Sequence, residues 1–280
     1  MPFTLSQLLA EARPRLAATP FGAPPREAAL LLGWLLGLSE ARILAHGERE
    51  VPEETAERFR SLIDRRLRGE PVAYLLGEKE FYGRRFAVDS RVLIPRPETE
   101  HIVEEALATP LPDRPRILDV GTGSGILPVT LALEIPGAWT VGTDISPGAL
   151  AVARGNALRH GARARFAGAD LGHGLDLSRF DLVVSNPPYI DPGDAPSLSP
   201  EVVDFEPHLA LFGPGTGDSV LARLFSLLGS GLRPGIRAIV EIGFGQLETA
   251  RRHAEASGLH FTGARHDYAG IPRVVVLERR

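Results

Sequence analysis

From residue 116 onward, short apolar runs alternate with stretches of helical periodicity. RILDV, WTVGTD, ARFAGAD, FDLVVSN, RAIVEIG and VVVLER are the runs, with helix-like segments following the first, second, fourth and fifth. Few architectures accept that alternation. It predicts an α/β fold in which a mostly parallel sheet carries helices on both faces, and in such sheets ligands sit beyond the carboxyl ends of the strands. The 280 residues and 44% hydrophobic content are enough to bury a large core. With no cysteine, disulfides, thiolate metal sites and cysteine nucleophiles are excluded.

The first 80 residues read differently. Thr4 and Gln7 have the spacing of a capping box, and Leu5, Leu8, Leu9 and Ala12 recur at helical intervals. REAALLLGWLL (26–36) is apolar enough to be a buried helix, and Pro52 with Glu53 and Glu54 opens another that leads to Phe59, Leu62, Ile63 and Leu67. The reading is of several short helices and no strands. FYGRRFAVDSRVLI (81–94) then alternates apolar and polar residues around Gly83, as a hairpin would. The expected organisation is a helical domain over 1–80, a β-hairpin linker over 81–98 and the α/β domain over 99–280. Residues 191–217 form a connection longer than the usual few residues, as substrate loops often do.

The chemistry-bearing motifs fall at the predicted strand ends. Asp119-Val120-Gly121-Thr122-Gly123-Ser124-Gly125 joins RILDV to the helix ILPVTLALE. Its alternating glycines allow a ligand close to the backbone, and the helix behind them presents unpaired N–H groups. Asp144, followed by Ile145, ends the second strand, where a carboxylate can accept both hydroxyls of a ribose. Ser146 and Pro147 then cap and start the next helix. Asp170 and Leu171 close the third strand, where they could offer an acceptor to an adenine amino group and an apolar wall to its ring.

Asn186-Pro187-Pro188-Tyr189 follows FDLVVS directly. The prolines have no N–H, so the backbone carbonyls stay free to accept, and the Asn186 amide oxygen adds another acceptor. Two acceptors can grip the hydrogens of an NH2 group and orient its weakly nucleophilic nitrogen, while Tyr189 could stack on a planar group. Glutamine amides in protein and amino groups of nucleic-acid bases both remain candidates on this motif alone. The eight histidines have no metal-ligand spacing, so no metal is predicted.

Together the glycine loop, Asp144 and Asp170 resemble the Rossmann-like class I S-adenosylmethionine-dependent methyltransferases. Val92-Leu93-Ile94-Pro95-Arg96-Pro97-Glu98-Thr99-Glu100 and the preceding GEKEFYGRRFAVDS resemble signatures of the release factor glutamine methyltransferase family, a likeness that covers nearly the whole chain. That resemblance implies transfer of a methyl group from S-adenosylmethionine, leaving S-adenosylhomocysteine, to the glutamine side-chain nitrogen in the Gly-Gly-Gln motif of peptide chain release factors. It also implies cofactor contacts at Asp119, Gly121 to Gly125, Asp144, Ile145, Asp170, Leu171 and Asn186, and a glutamine cradle of Asn186, Pro187, Pro188 and Tyr189. Asn186, Pro187 and Tyr189 are the implied catalytic residues. Leu171 stands where some relatives carry an aromatic residue. Arg96 could close over the cofactor or pair with acids at the domain junction, and Glu206 and Pro207 could shape the substrate side.

The alternative is an amino methyltransferase acting on a nucleic-acid base. The formal net charge of −4 and the even spread of basic and acidic residues argue against a stable nucleic-acid partner. No apolar stretch is long enough to span a bilayer, and the start MPFTLSQLLAEARPR has neither a basic leader nor a cleavage site. A cytoplasmic monomer without a membrane partner is expected.

Overall fold

Strand β1 (Phe3–Thr4) runs into helix α1 (Leu5–Ala17), and the spacing read from the sequence closes its first turn. The Thr4 N–H donates to Gln7 Oε1 at 2.8 Å and the Gln7 N–H to Thr4 Oγ1 at 3.3 Å, so two otherwise orphaned amides are satisfied. This computed structural model describes residues 3–19, 23–24, 26–213, 215 and 217–280. Helices α2 (Arg26–Leu36) and α3 (Glu40–Ala45), strand β2 (Glu50–Val51), and helices α4 (Glu53–Leu67) and α5 (Val72–Leu76) follow. Leu5, Leu8 and Leu16 share one core with Leu31, Leu32, Ile43, Phe59 and Ile63. Each side chain of that size contributes about 1.5–3 kcal/mol when fully buried, so this core is what stabilises the helical unit. The expectation of no strands is corrected: β1 and β2 pair antiparallel, with Phe3 opposite Val51. Two residues are too few to carry a period in sequence.

Strands β3 (Glu78–Phe81) and β4 (Arg84–Ala87) form the hairpin. Tyr82 (φ 49°) and Gly83 (φ 71°) are its turn, the two-residue left-handed geometry that matches strand twist. It begins ahead of the segment read as alternating. Residues 88–94 are loop, in which Asp89 Oδ1 accepts from the Arg91 N–H at 3.0 Å, and Val88, Val92 and Ile94 are buried without strand pairing.

The second unit continues through α6 (Glu100–Ala108), β5 (Arg116–Val120), α7 (Ile126–Glu134), β6 (Trp139–Asp144), α8 (Pro147–His160), β7 (Ala164–Gly168) and β8 (Leu182–Ser185). The long connection holds α9 (Pro200–Phe205) and α10 (His208–Leu211), and the chain ends with α11 (Gly217–Gly231), β9 (Arg237–Glu241), α12 (Leu247–Ala256), β10 (Leu259–His266) and β11 (Pro272–Arg279). By packing, one compact unit comprises Met1–Glu78 with Ser197–Phe205, and the other Lys79–Pro196 with Glu206–Arg280.

The seven-stranded sheet has the order β10-β11-β9-β8-β5-β6-β7. Five neighbouring strands from β9 to β7 are parallel, while β11 runs antiparallel to β9 and β10. Strand β10 was not read from the sequence. One face of the sheet buries Leu118, Val183 and Val240 with Phe225 of α11, and the other buries Ile117, Val184 and Ile239 with Leu127 and Leu131 of α7. After β5 the chain moves outward to β6 and β7, then returns to place β8 on the other side of β5. That reversal leaves a crevice between the β5 and β8 carboxyl ends. Val120 lies opposite Ser185 across it, so the glycine loop and Asn186 begin side by side.

Candidate active site

A cavity opens at this reversal, and Gly121, Thr122, Gly123 and Ser124 line it. Gly121, Gly123 and Gly125 adopt φ of 77°, 52° and 81°, a region that side chains disfavour. A Cβ at Gly123 would meet nothing within 4 Å, and one at Gly121 only the Asn186 carbonyl at 3.9 Å. Both therefore leave open space that a ligand can fill. Gly125 serves another purpose: its Cβ would sit 3.0 Å from that of Ala153, so its bareness lets α7 close on α8, and it does not line the cavity.

Asp144 faces the same cavity with its carboxylate tied into the loop. Oδ2 accepts from the Gly123 N–H and Oδ1 from the Ser146 N–H, each at 2.9 Å. A carboxylate oxygen has two acceptor positions, so both retain capacity for a ligand hydroxyl. Ser146 caps α8 through the Ala149 N–H at 3.2 Å, as its position before Pro147 predicts.

Asp119 is 1% exposed and lines the cavity. Among the described residues, neither of its carboxylate oxygens has a hydrogen-bond partner, and neither does Thr122 Oγ1. Burial pushes its pKa up to about 7, with the Asp144 charge adding to the rise and only the nearness of the Thr122 hydroxyl opposing it. An orphaned buried carboxylate is costly unless a ligand completes it, and a cationic group fits best.

The raised pKa has a consequence for the ligand-free protein. The folded state holds this proton more tightly than the unfolded state, so the group's contribution to stability falls as pH rises from its ordinary value near 4 toward 7, by about 1.4 kcal/mol per unit. Asp119→Asn should raise the melting temperature at pH 8 and flatten its dependence between pH 5 and pH 8. An unchanged melting profile would show that the carboxyl is not held out of water.

Ile145, 54% exposed, and Leu171 also line the cavity. Leu171 has φ 55°, a strained conformation for a branched side chain, of the kind that accumulates at ligand sites. Asp170 joins them, but its carboxylate is engaged by Arg223 Nη2 at 2.6 Å.

Asn186 and Pro188 line the cavity, whereas Pro187 and Tyr189 do not. The Asn186 Nδ2 donates to Thr99 Oγ1 at 3.0 Å, and the Thr99 hydroxyl to Glu241 Oε2 at 2.8 Å. The other oxygen of Glu241 accepts from the Tyr189 hydroxyl at 3.2 Å. Tyr189 is fixed at its backbone too, its carbonyl accepting from Gln246 Nε2 at 3.0 Å. Burial pushes Glu241 up to about 7, against the hydrogen bonds from Thr99 and Tyr189. Burial and the Glu241 charge together hold the Tyr189 phenol well above its usual range.

Arg96 pairs with the buried Glu206, whose second oxygen accepts from the Ile94 N–H at 3.0 Å. Of the two roles the sequence left open for Arg96, the ion pair is present, though with an acid of its own unit, and Arg96 also lines the cavity.

The profile described as the PrmC N-terminal domain matches residues 7–77, and that of the methyltransferase small domain matches residues 101–202. A release factor glutamine methyltransferase from Koribacter versatilis is 40% identical, with 98% of each chain covered. The one from Bordetella pertussis is 45% identical over 90% of this chain and 94% of its own. The chain belongs to the release factor glutamine methyltransferase family. Among solved structures, a methyltransferase from Pyrococcus furiosus shares the fold at TM-score 0.55 and 16% identity, over 77% of this chain and 96% of that one. Residues 92–100, the stretch whose sequence resembles this family, supply Arg96 and Thr99. Thr99, Glu241 and Gln246 escaped the sequence reading. Glu241 did leave a signal, as a lone acid at the end of the apolar run RAIVE.

Proposed function

We propose that this chain methylates the side-chain amide nitrogen of the glutamine in the Gly-Gly-Gln motif of peptide chain release factors, using S-adenosylmethionine. The observation that carries the reading is the orientation of Asn186: its NH2 is spent on Thr99, which leaves Oδ1 as an acceptor at a cavity that also holds the glycine loop and an orphaned Asp119. Relatives of this length and identity bearing that name support the choice of substrate.

The cofactor supplies an electrophilic methyl group when bound. Asp119 would hold its ammonium group, Asp144 the ribose hydroxyls, and Asp170 the adenine amino group in exchange for Arg223. Ile145 and Leu171 would flank the ring, and Gly121 and Gly123 would allow close approach. An amide nitrogen is a poor nucleophile because its lone pair is delocalised. Asn186 Oδ1 would accept one of its hydrogens and a backbone carbonyl of the Asn186 to Pro188 turn the other, aligning the nitrogen and stabilising the positive charge that develops on it. Tyr189, anchored at both ends, would keep this stretch of backbone in place rather than stack freely. One hydrogen leaves the nitrogen as a proton once methylation is complete.

Because a bare amide offers little specificity, recognition of the release factor would come largely from the helical residues 1–80 through contacts remote from the glutamine. The reaction would run in the cytoplasm on a monomer, with no stable nucleic-acid partner. No helix among the described residues is long and apolar enough to cross a membrane.

Ionisation of Asp119 sets a further expectation. A cationic ligand requires the carboxylate, so cofactor affinity should weaken about tenfold per unit as pH falls below 7, and binding there should release a proton. Calorimetry in buffers of different ionisation enthalpy measures both, and Asp119→Asn should abolish the dependence. The function itself is tested by mass spectrometry of the Gly-Gly-Gln peptide from a release factor incubated with the protein and S-adenosylmethionine. A gain of one methyl on that glutamine is expected. An unmodified glutamine with labelling of ribosomal RNA or duplex DNA would overturn the reading.

A further inference from the structure

We propose that Thr99 and Glu241 are positioning residues that determine which end of the Asn186 amide faces the substrate. The inference rests on the function proposed above and extends it to two residues that lie outside the glycine loop and the Asn186 to Tyr189 turn.

A threonine hydroxyl has one hydrogen. Thr99 donates it to Glu241 Oε2 at 2.8 Å, so only lone pairs remain toward Asn186. The Asn186 amide must then present its NH2, and it does, at 3.0 Å. Reversing the amide would set oxygen against oxygen, leaving NH2 where the substrate's own N–H groups need an acceptor. The chain of donors thus has a single direction, and the carboxylate at its end imposes it.

The fold builds this chain into rigid elements. Ser185 on β8 lies opposite Val240 on β9, so the residues that follow, Asn186 and Glu241, leave adjacent strands at the same level. Thr99 and Glu241 are each 1% exposed, and water does not compete for their hydrogen bonds. Through its other oxygen Glu241 also holds the Tyr189 hydroxyl, so one carboxylate clamps both ends of the Asn186 to Tyr189 turn.

The charges around Glu241 are mixed. Glu98, one residue before Thr99, disfavours its ionisation, and Arg273 of β11 favours it. Arg273 is shared with Asp267 at 2.9 Å, while Arg96 and Arg273 act on Tyr189. Burial outweighs these and pushes Glu241 up to about 7. A neutral Glu241 carries its own hydrogen and can donate to Thr99, which frees the threonine hydrogen to face Asn186 and permits the reversed amide. Turnover at saturating cofactor should therefore fall as pH drops below about 7. Because the cofactor already occupies Asp119 under that condition, the two titrations are separable.

The test follows turnover on a purified peptide chain release factor, read by mass spectrometry, beside cofactor affinity by calorimetry. Thr99→Val keeps the shape and removes the hydroxyl; it should lower the turnover number by about tenfold to a hundredfold with cofactor affinity unchanged, and Thr99→Ser should restore it. Glu241→Gln should lose the fall below pH 7. In protein labelled with 15N-asparagine, the Asn186 NH2 signals should be those of a hydrogen-bonded amide above pH 8, and should move toward averaged values in Thr99→Val. Wild-type turnover by a folded Thr99→Val protein, or a serine variant as slow as the valine one, would overturn the inference. If the unaltered protein methylates no release factor, the functional reading fails, and the Asn186 signals still decide the direction of the amide.

Discussion

Replacing Asn186 with alanine is expected to lower turnover by about a hundredfold to a thousandfold, the range seen when one preorganised polar contact to a developing charge is removed. Two losses combine. The substrate amide loses the Oδ1 acceptor that orients it, and Thr99, buried and donating to Glu241, is left with an unfilled acceptor. Cofactor affinity should fall much less, because Asp119, Asp144 and the glycines lie on β5, β6 and their loops, which the substitution does not touch. Asn186→Asp should not rescue turnover: it has no N–H for Thr99 and brings a second carboxylate to the Thr99–Glu241 pair. Single-turnover rates read by mass spectrometry, with calorimetry of cofactor binding alongside, separate the two effects. An unchanged rate in a folded alanine variant would remove Asn186 from the chemistry.

The part of this site that was legible in sequence is the part made of local signals. Alternating glycines, an acid at a strand end and a proline pair after an apolar run each carry their meaning within a few residues, and the crevice follows from the alternation of strands and helices. What was not legible is made by chain reversals. Thr99 reaches Asn186 across 87 residues and Glu241 across 142, and no local pattern encodes either pairing. The same distinction explains the fold. Helix α1 was readable to its capping box, whereas β10 was not, because its register shifts between Phe261 and Gly263 and again between Arg265 and His266, and a bulge breaks the period of two on which strand reading depends. The hairpin was displaced for a related reason. EKEF is mostly polar and gives no apolar alternation, so the first strand was placed too late, whereas Gly83, the punctuation of that segment, does lie in the turn with Tyr82.

The long connection after Asn186 shows how a loop can be held by charge rather than by apolar packing. None of the side chains of α9 is fully buried, yet residues 197–205 pack as part of the helical unit. Arg66 of α4 contributes an ion pair to this packing. Only 2% exposed, it donates from Nε to Glu27 at 2.7 Å and from Nη1 to the Glu70 carbonyl at 3.3 Å, and its Nη2 reaches Glu201 of α9. Taking a guanidinium out of water is unfavourable unless its donors are matched, and here two carboxylates and a carbonyl match them. Arg66→Ala should therefore destabilise the helical unit by about 3–5 kcal/mol, since it leaves Glu27 with an uncompensated charge at 14% side-chain exposure. Glu201→Gln should cost about 1 kcal/mol, because Glu201 is 27% exposed and Arg66 keeps Glu27. The order of the two effects is the diagnostic, read as the shift in the first urea transition of the full-length protein. Equal shifts would mean that the loop helix, not the buried cation, is the stabilising element. A negligible shift for Arg66→Ala would mean that apolar packing in this unit suffices without the ion triad, and that residues 197–205 are held by something other than Arg66.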